Sequence, residues 1–194
     1  MSAENTYKAL LPLSKYWLKE LDYYGNNQFK KKVSNSSWTI GQLYDHLLTY
    51  SQQVHLKAIQ KCIASKEESV KEPKTFKGFV VFAYGGYLPL KYKSAPYIEP
   101  TQPLSTEKIK DDFYRFLKIV YKVAKEIDYK KPTKKVKHPT FGYLTAEEWF
   151  RLMEMHFRHH VRQKKTLDKE VRSSVRETEV KDFDDIPDIP FYEL

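Results

Sequence analysis

Two threonines constrain most of what this 194-residue chain can become. Thr39 stands three residues ahead of Gln42, and Thr145 three ahead of Glu148, each at the head of a long apolar stripe. In that arrangement the hydroxyl accepts from an orphan backbone N–H of the first helical turn, and the later side chain reaches back to the threonine N–H. Both places therefore read as helix starts. Behind Thr39, the residues Ile40, Leu43, Leu47, Tyr50, Val54 and Ala58 recur at helical spacing and carry a helix to about Cys62. Behind Thr145 the stripe runs through Trp149, Leu152, Met153, His156, His160, Gln163 and Leu167.

Two more segments share this patterning. Leu10, Leu11, Leu13, Trp17, Leu18 and Leu21 predict a helix over about 4–21, or one that starts only near Pro12, where a proline in the first turn is harmless. Ser105 caps a third helix over about 106–127, with Ile109, Phe113, Phe116, Leu117, Val120, Ala124 and Ile127 on its stripe. Four amphipathic helices predict an all-α chain, a four-helix bundle formed by residues 1–170 as a single domain. Residues 171–194 form an acidic C-terminal tail whose Ile186, Ile189, Phe191 and Tyr192 offer apolar groups for docking on the bundle. The long connection over 64–104, rich in proline and aromatic residues, is expected to cover one end of the bundle or to form a loosely attached surface excursion.

Composition narrows the function classes. With 41% hydrophobic residues, 15 tyrosines and 11 phenylalanines, the chain has the apolar material of a packed protein. No run of eighteen apolar residues appears, and the first residues lack a basic leader, so neither a membrane span nor secretion is expected. A single cysteine, Cys62, suits a reducing cytoplasm. The net charge of +9 invites a nucleic-acid reading, but seven acids against three bases leave the tail at −4 and the rest at +13. The basic residues include the cluster Lys130 to Lys137, read as a loop, and no recognition motif accompanies it.

The chemistry gathers in MHFRHHVRQ, which holds three of six histidines. His156 and His160 lie four residues apart, one turn up the same face, and both fall on the apolar stripe. Buried imidazoles need partners for both nitrogens, and a divalent metal is one strong partner that two neutral rings cannot give each other. A third ligand must come from another segment. His46, beside the Leu43, Leu47 and Tyr50 stripe, is the best placed, with His138 as the alternative. His55, rotated away and farther along, is not expected to share an ion with His46. His159 is expected to reach solvent or another helix, within a cationic face with Arg158 and Arg162. Three imidazoles leave an open coordination position; Zn²⁺ is the first candidate, with Ni²⁺ and Fe²⁺ as alternatives. Tyr50 and Gln53, beyond His46, are candidates for orienting a substrate, and Gln163 for a hydrogen bond behind His160. Tyr84, Tyr87, Tyr92 and Tyr97 are candidates for an aromatic cover, and Lys91 and Lys93 for attracting a carboxylate.

The succession of WTIGQLYDHLL, HPTFGYLTAEEWF and MHFRHHVRQ resembles the DinB/YfiT-like superfamily of metal-dependent enzymes, and within it an uncharacterised bacterial branch with an HFRHHxRQ-like helix. The resemblance spans most of residues 10–167. It implies a four-helix bundle, commonly dimeric, in which a histidine triad matching His46, His156 and His160 binds a divalent metal. It also implies a small-molecule substrate, with low-molecular-weight thiols such as bacillithiol or mycothiol as partners in some relatives. The 64–104 insertion and the acidic tail depart from that pattern, so the resemblance does not carry over the identity of the substrate.

Three functional accounts follow from the residues. The first is a metal-dependent transferase or hydrolase that activates a thiol or water for attack on a small electrophile. The second is a noncatalytic structural or interaction protein with a buried histidine network. The third is a weak nucleic-acid binder through the Lys130 to Lys137 loop.

Overall fold

A computed structural model describes residues 2–33, 38–64, 71–87 and 98–173. Among them the architecture is all-helical apart from one small hairpin. Helix α1 spans Ala3–Glu20, α2 spans Asn26–Lys30, α3 spans Ile40–Tyr50, α4 spans Lys57–Ala64, α5 spans Phe76–Tyr84, α6 spans Thr106–Lys130 and α7 spans Ala146–Ser173. Strands β1 (Val136–His138) and β2 (Gly142–Leu144) pair antiparallel, with Lys137 opposite Tyr143. Between α3 and α4 the helix does not break but widens, and Ser51–Leu56 forms a π-helical segment within one continuous rod.

Local signals set the helix ends. Thr39 Oγ1 accepts from Gln42 N at 3.0 Å while Gln42 Oε1 accepts from Thr39 N at 3.0 Å. The same exchange joins Thr145 and Glu148, at 3.2 and 2.9 Å. Helix α1 starts at Ala3 and runs through Pro12, contrary to a start near the proline. Pro12 forgoes one hydrogen bond to the turn before it, but Leu10, Leu13 and Trp17 are fully buried on one face, and that packing outweighs the local cost. Asp128 of α6 adds its carboxylate, which accepts from Ala3 N at 3.0 Å and Glu4 N at 2.8 Å at the positive end of α1.

The long helices share one core. Helix α1 packs on α6 and α7, and α3 packs on the same two. Trp17 meets Tyr44 edge-on at 5.1 Å, and Phe116 stacks on Phe157 at 5.7 Å. Each of these rings is almost fully buried, worth about 1.5–3 kcal/mol apiece by transfer. One turn below His160, the fully buried Lys164 donates to Glu20 Oε2 at 2.5 Å and Asp168 Oδ2 at 2.8 Å. Tyr24 donates to the other oxygen of Asp168. This ion cluster ties the end of α1 to α7.

The connection between the second and third expected helices is not loosely attached where it is described. It contains α5, which periodicity did not reveal because its apolar run FVVFAY is short and continuous. Thr75 N donates to Phe141 O at 2.9 Å, and a Cβ on Gly78 would stand 2.3 Å from that oxygen, so α5 seats on the hairpin by backbone approach. Gly142, at φ +79, makes the tight return of the hairpin. Farther on, Thr101 N donates to Asp45 Oδ2 at 2.7 Å and Thr39 Oγ1 pairs with Gln102 Oε1, strapping residues 98–104 along α3. Tyr92, Tyr97, Lys91, Lys93 and the tail from 174 onward lie outside the described residues. The lysine-rich stretch, read as a loop, ends instead in strand β1. Among the described residues no helix is long and apolar enough to cross a membrane.

Candidate metal centre

His46 sits in the second turn of α3, on the face turned to α7, because the capped start at Thr39 puts it in register with Leu43, Leu47 and Tyr50. His156 and His160 face it from α7. His46 Nε2 stands 3.1 Å from His156 Nε2, and His160 Nε2 stands 3.0 Å from the same atom. The three ligand atoms all lie within 4.8 Å of one another. Nitrogens bound tetrahedrally to Zn²⁺ at 2.0–2.1 Å would lie roughly 3.3 Å apart, so two of these separations fall within a few tenths of an ångström of that arrangement. The rings are 6, 5 and 8% exposed.

Burial decides the protonation state. It pushes His46 down to about 4, with the nearby His159 adding to the effect, and it drives His156 well below the ordinary histidine value. His160 is lowered to about 3 by burial and by His46 and His159, against a raising contribution from its bond to Gln163. The rings are therefore neutral, and each has one lone pair to offer. His160 Nδ1 contacts Gln163 Oε1 at 2.7 Å. Because an amide oxygen only accepts, the contact assigns the proton to Nδ1 and leaves the Nε2 lone pair directed at His156. His46 Nδ1 and His156 Nδ1 have no hydrogen-bond partner among the described residues.

Tyr50 lies against the cluster, its ring 5.3 Å from His46 and 5.0 Å from His156. Gln53 does not join it: the side chain is exposed, because the π-helical turn changes the rotation per residue that placed it beyond His46. His138 is not the third ligand. Its Nδ1 accepts from Thr140 N and Phe141 N, both at 3.1 Å, and its ring stacks on Phe141, so it closes the hairpin turn. His159 is exposed and packs 5.1 Å from Tyr87.

Two further rings lie beside the cluster: Trp38, which no motif points to, and His55, which as expected is not among the three converging ligands. Trp38 lies 4.8 Å from the His46 ring, on the approach to the head of α3. His55, fully buried, has its ring 5.4 Å from that of His156. A regular helix would carry His55 away from His46, and nothing in SQQVHL announces a π turn.

Compared with protein-family models, with curated proteins and with solved structures, the chain finds no match.

Proposed function

We propose that His46, His156 and His160 hold one divalent cation, and that the chain is a metal-dependent transferase or hydrolase built as a DinB/YfiT-like four-helix bundle. One observation carries this reading: three buried, neutral imidazoles from two helices bring their Nε2 atoms together with no carboxylate among them. Zn²⁺ suits such a nitrogen set first, and Ni²⁺ and Fe²⁺ also accept it. When bound, the cation lowers the pKa of a water or thiol and polarises an electrophile. The protein's own contribution is to hold the three lone pairs convergent and to keep bulk water from the inner side. Gln163 fixes the His160 tautomer, and Tyr50 walls the cluster between His46 and His156.

The substrate class that fits is a small electrophile, with a low-molecular-weight thiol or water as the attacking group. A homodimer accompanies the bundle reading. Metal analysis of protein purified without chelators tests the first step: about one divalent ion per chain is expected, with none retained by His156→Ala. Turnover against thiol acceptors and hydrolysable substrates should vanish on chelation and return with zinc. Protein that is consistently empty and has no affinity for Zn²⁺, Ni²⁺ or Fe²⁺ would leave only a noncatalytic histidine network.

A further inference from the structure

Four of the buried polar atoms without a partner among the described residues belong to three neighbouring groups: His55 Nδ1, His55 Nε2, His156 Nδ1 and Ser51 Oγ. Ser51 and His55 are fully buried, and Ser51 opens the same π-helical segment about one turn before His55. The His55 and His156 rings are 5.4 Å apart at 66°. That is only slightly wider than the 5.0 Å between His46 and His156, whose nearest nitrogens are 3.1 Å apart. Leaving such atoms unpaired costs about 1–3 kcal/mol each, so their concentration in one place calls for an arrangement that uses all of them. π-helical turns inside α-helices are themselves frequent at functional sites.

We propose that His55 is a positioning residue for the metal centre: one ring nitrogen accepts from His156 Nδ1–H, and the other donates to Ser51 Oγ. A neutral imidazole has one donor and one acceptor, so the relay gives each of the four atoms a partner. It does for His156 what Gln163 does for His160, holding the proton on Nδ1 so that the Nε2 lone pair faces the cation. The inference rests on the metal reading for its purpose, though the relay itself exists with or without an ion.

Long-range ¹⁵N–¹H NMR of metal-free protein reads the tautomer of each histidine, and competition with a chromophoric chelator reads zinc affinity. In the wild type His156 should carry its proton on Nδ1. His55→Leu should mix the His156 tautomers and weaken zinc binding about 10–100-fold. His55→Gln, whose amide oxygen accepts as the ring does, should restore the tautomer and stay within about threefold of wild type. Ser51→Ala should shift the His55 tautomer and lower affinity by less than His55→Leu does. A folded His55→Leu with unchanged tautomer and affinity overturns the relay, as does a metal-free wild type with His156 protonated on Nε2. If His55→Leu does not fold by circular dichroism, Ser51→Ala decides, and an unmoved His55 tautomer overturns the proposal. Wild type that takes up no zinc overturns the metal reading alone, because the tautomers are read without metal.

Discussion

Helix α7 carries two buried polar clusters one turn apart, and they are built on opposite principles. Around Lys164 the accounts close: the ammonium has two carboxylates, and Tyr24 supplies a further donor to Asp168. Around His156 they do not, since His46 Nδ1 and His156 Nδ1 lack partners and three Nε2 atoms face one another. A buried ion pair satisfied from within needs nothing else and serves to join elements. A cluster of neutral rings with converging lone pairs would, on the proposed reading, be completed by a cation. Burial is similar in both regions, so what separates structure from site is whether the donors and acceptors match.

Removing one member from each cluster gives the sharpest contrast. Lys164→Ala leaves the carboxylates of Glu20 and Asp168 buried without their cation, and chemical denaturation should show a loss of about 3–5 kcal/mol. The fraction that remains folded should still bind zinc. His156→Ala should do the reverse. It should keep helix content and much of the stability while zinc affinity falls about 100-fold or more, beyond the roughly 10–100-fold that losing a hydrogen-bond partner behind a ligand costs. If either variant produced the other's signature, the division of α7 into a joint and a site would fail.

Acid offers a second test, to which the buried His138 of the hairpin, also pushed down to about 4, adds alongside the histidine cluster. In the folded metal-free protein burial holds His46 down to about 4, and His55 and His160 down to about 3, against the ordinary histidine value of 6.5. Between these values the unfolded chain binds protons that the folded chain refuses. The stability these rings contribute is therefore fully present above 6.5 and is lost progressively as pH falls from there through about 4 to 3. Urea denaturation of metal-free protein at pH 7 and pH 5 should differ by on the order of a few kcal/mol, the lower pH being less stable. A flat profile over that interval would mean that the rings already share protons and are not held neutral.

The two clusters also differ in how much of them could be read beforehand. Thr39, Gln42, Thr145 and Glu148 announce the helices, and helical spacing alone puts His156 and His160 on an inward face, because both signals are local. His46 follows from the register that Thr39 sets. Gln53 and His55 do not, because a π turn changes the rotation per residue without any residue type that betrays it. The seating of α5 on the hairpin depends on backbone approach across 60 residues or more, which periodicity does not encode. The Lys164 cluster was likewise hidden: Glu20, Tyr24 and Asp168 look like ordinary surface residues until α1 and α7 are packed together.

Two conservative truncations probe the clusters at their edges. Tyr24→Phe removes one charged hydrogen bond to Asp168 and should cost about 1.5–3 kcal/mol of stability with zinc affinity unchanged. Gln163→Leu is the gentlest change. The Gln163 amide touches no ligand atom of the triad directly; it accepts from His160 Nδ1 at 2.7 Å and thereby keeps the opposite nitrogen free. Its loss lets the proton move to Nε2, where it competes with the cation. Zinc affinity should fall about tenfold, with a steeper dependence on pH, while the denaturation midpoint stays close to wild type because Gln163 is only half-buried. Should Gln163→Leu instead lower stability and leave zinc binding intact, the His160 to Gln163 bond would belong with Lys164 as a joint of the fold, and the boundary between the two clusters would move one turn up α7.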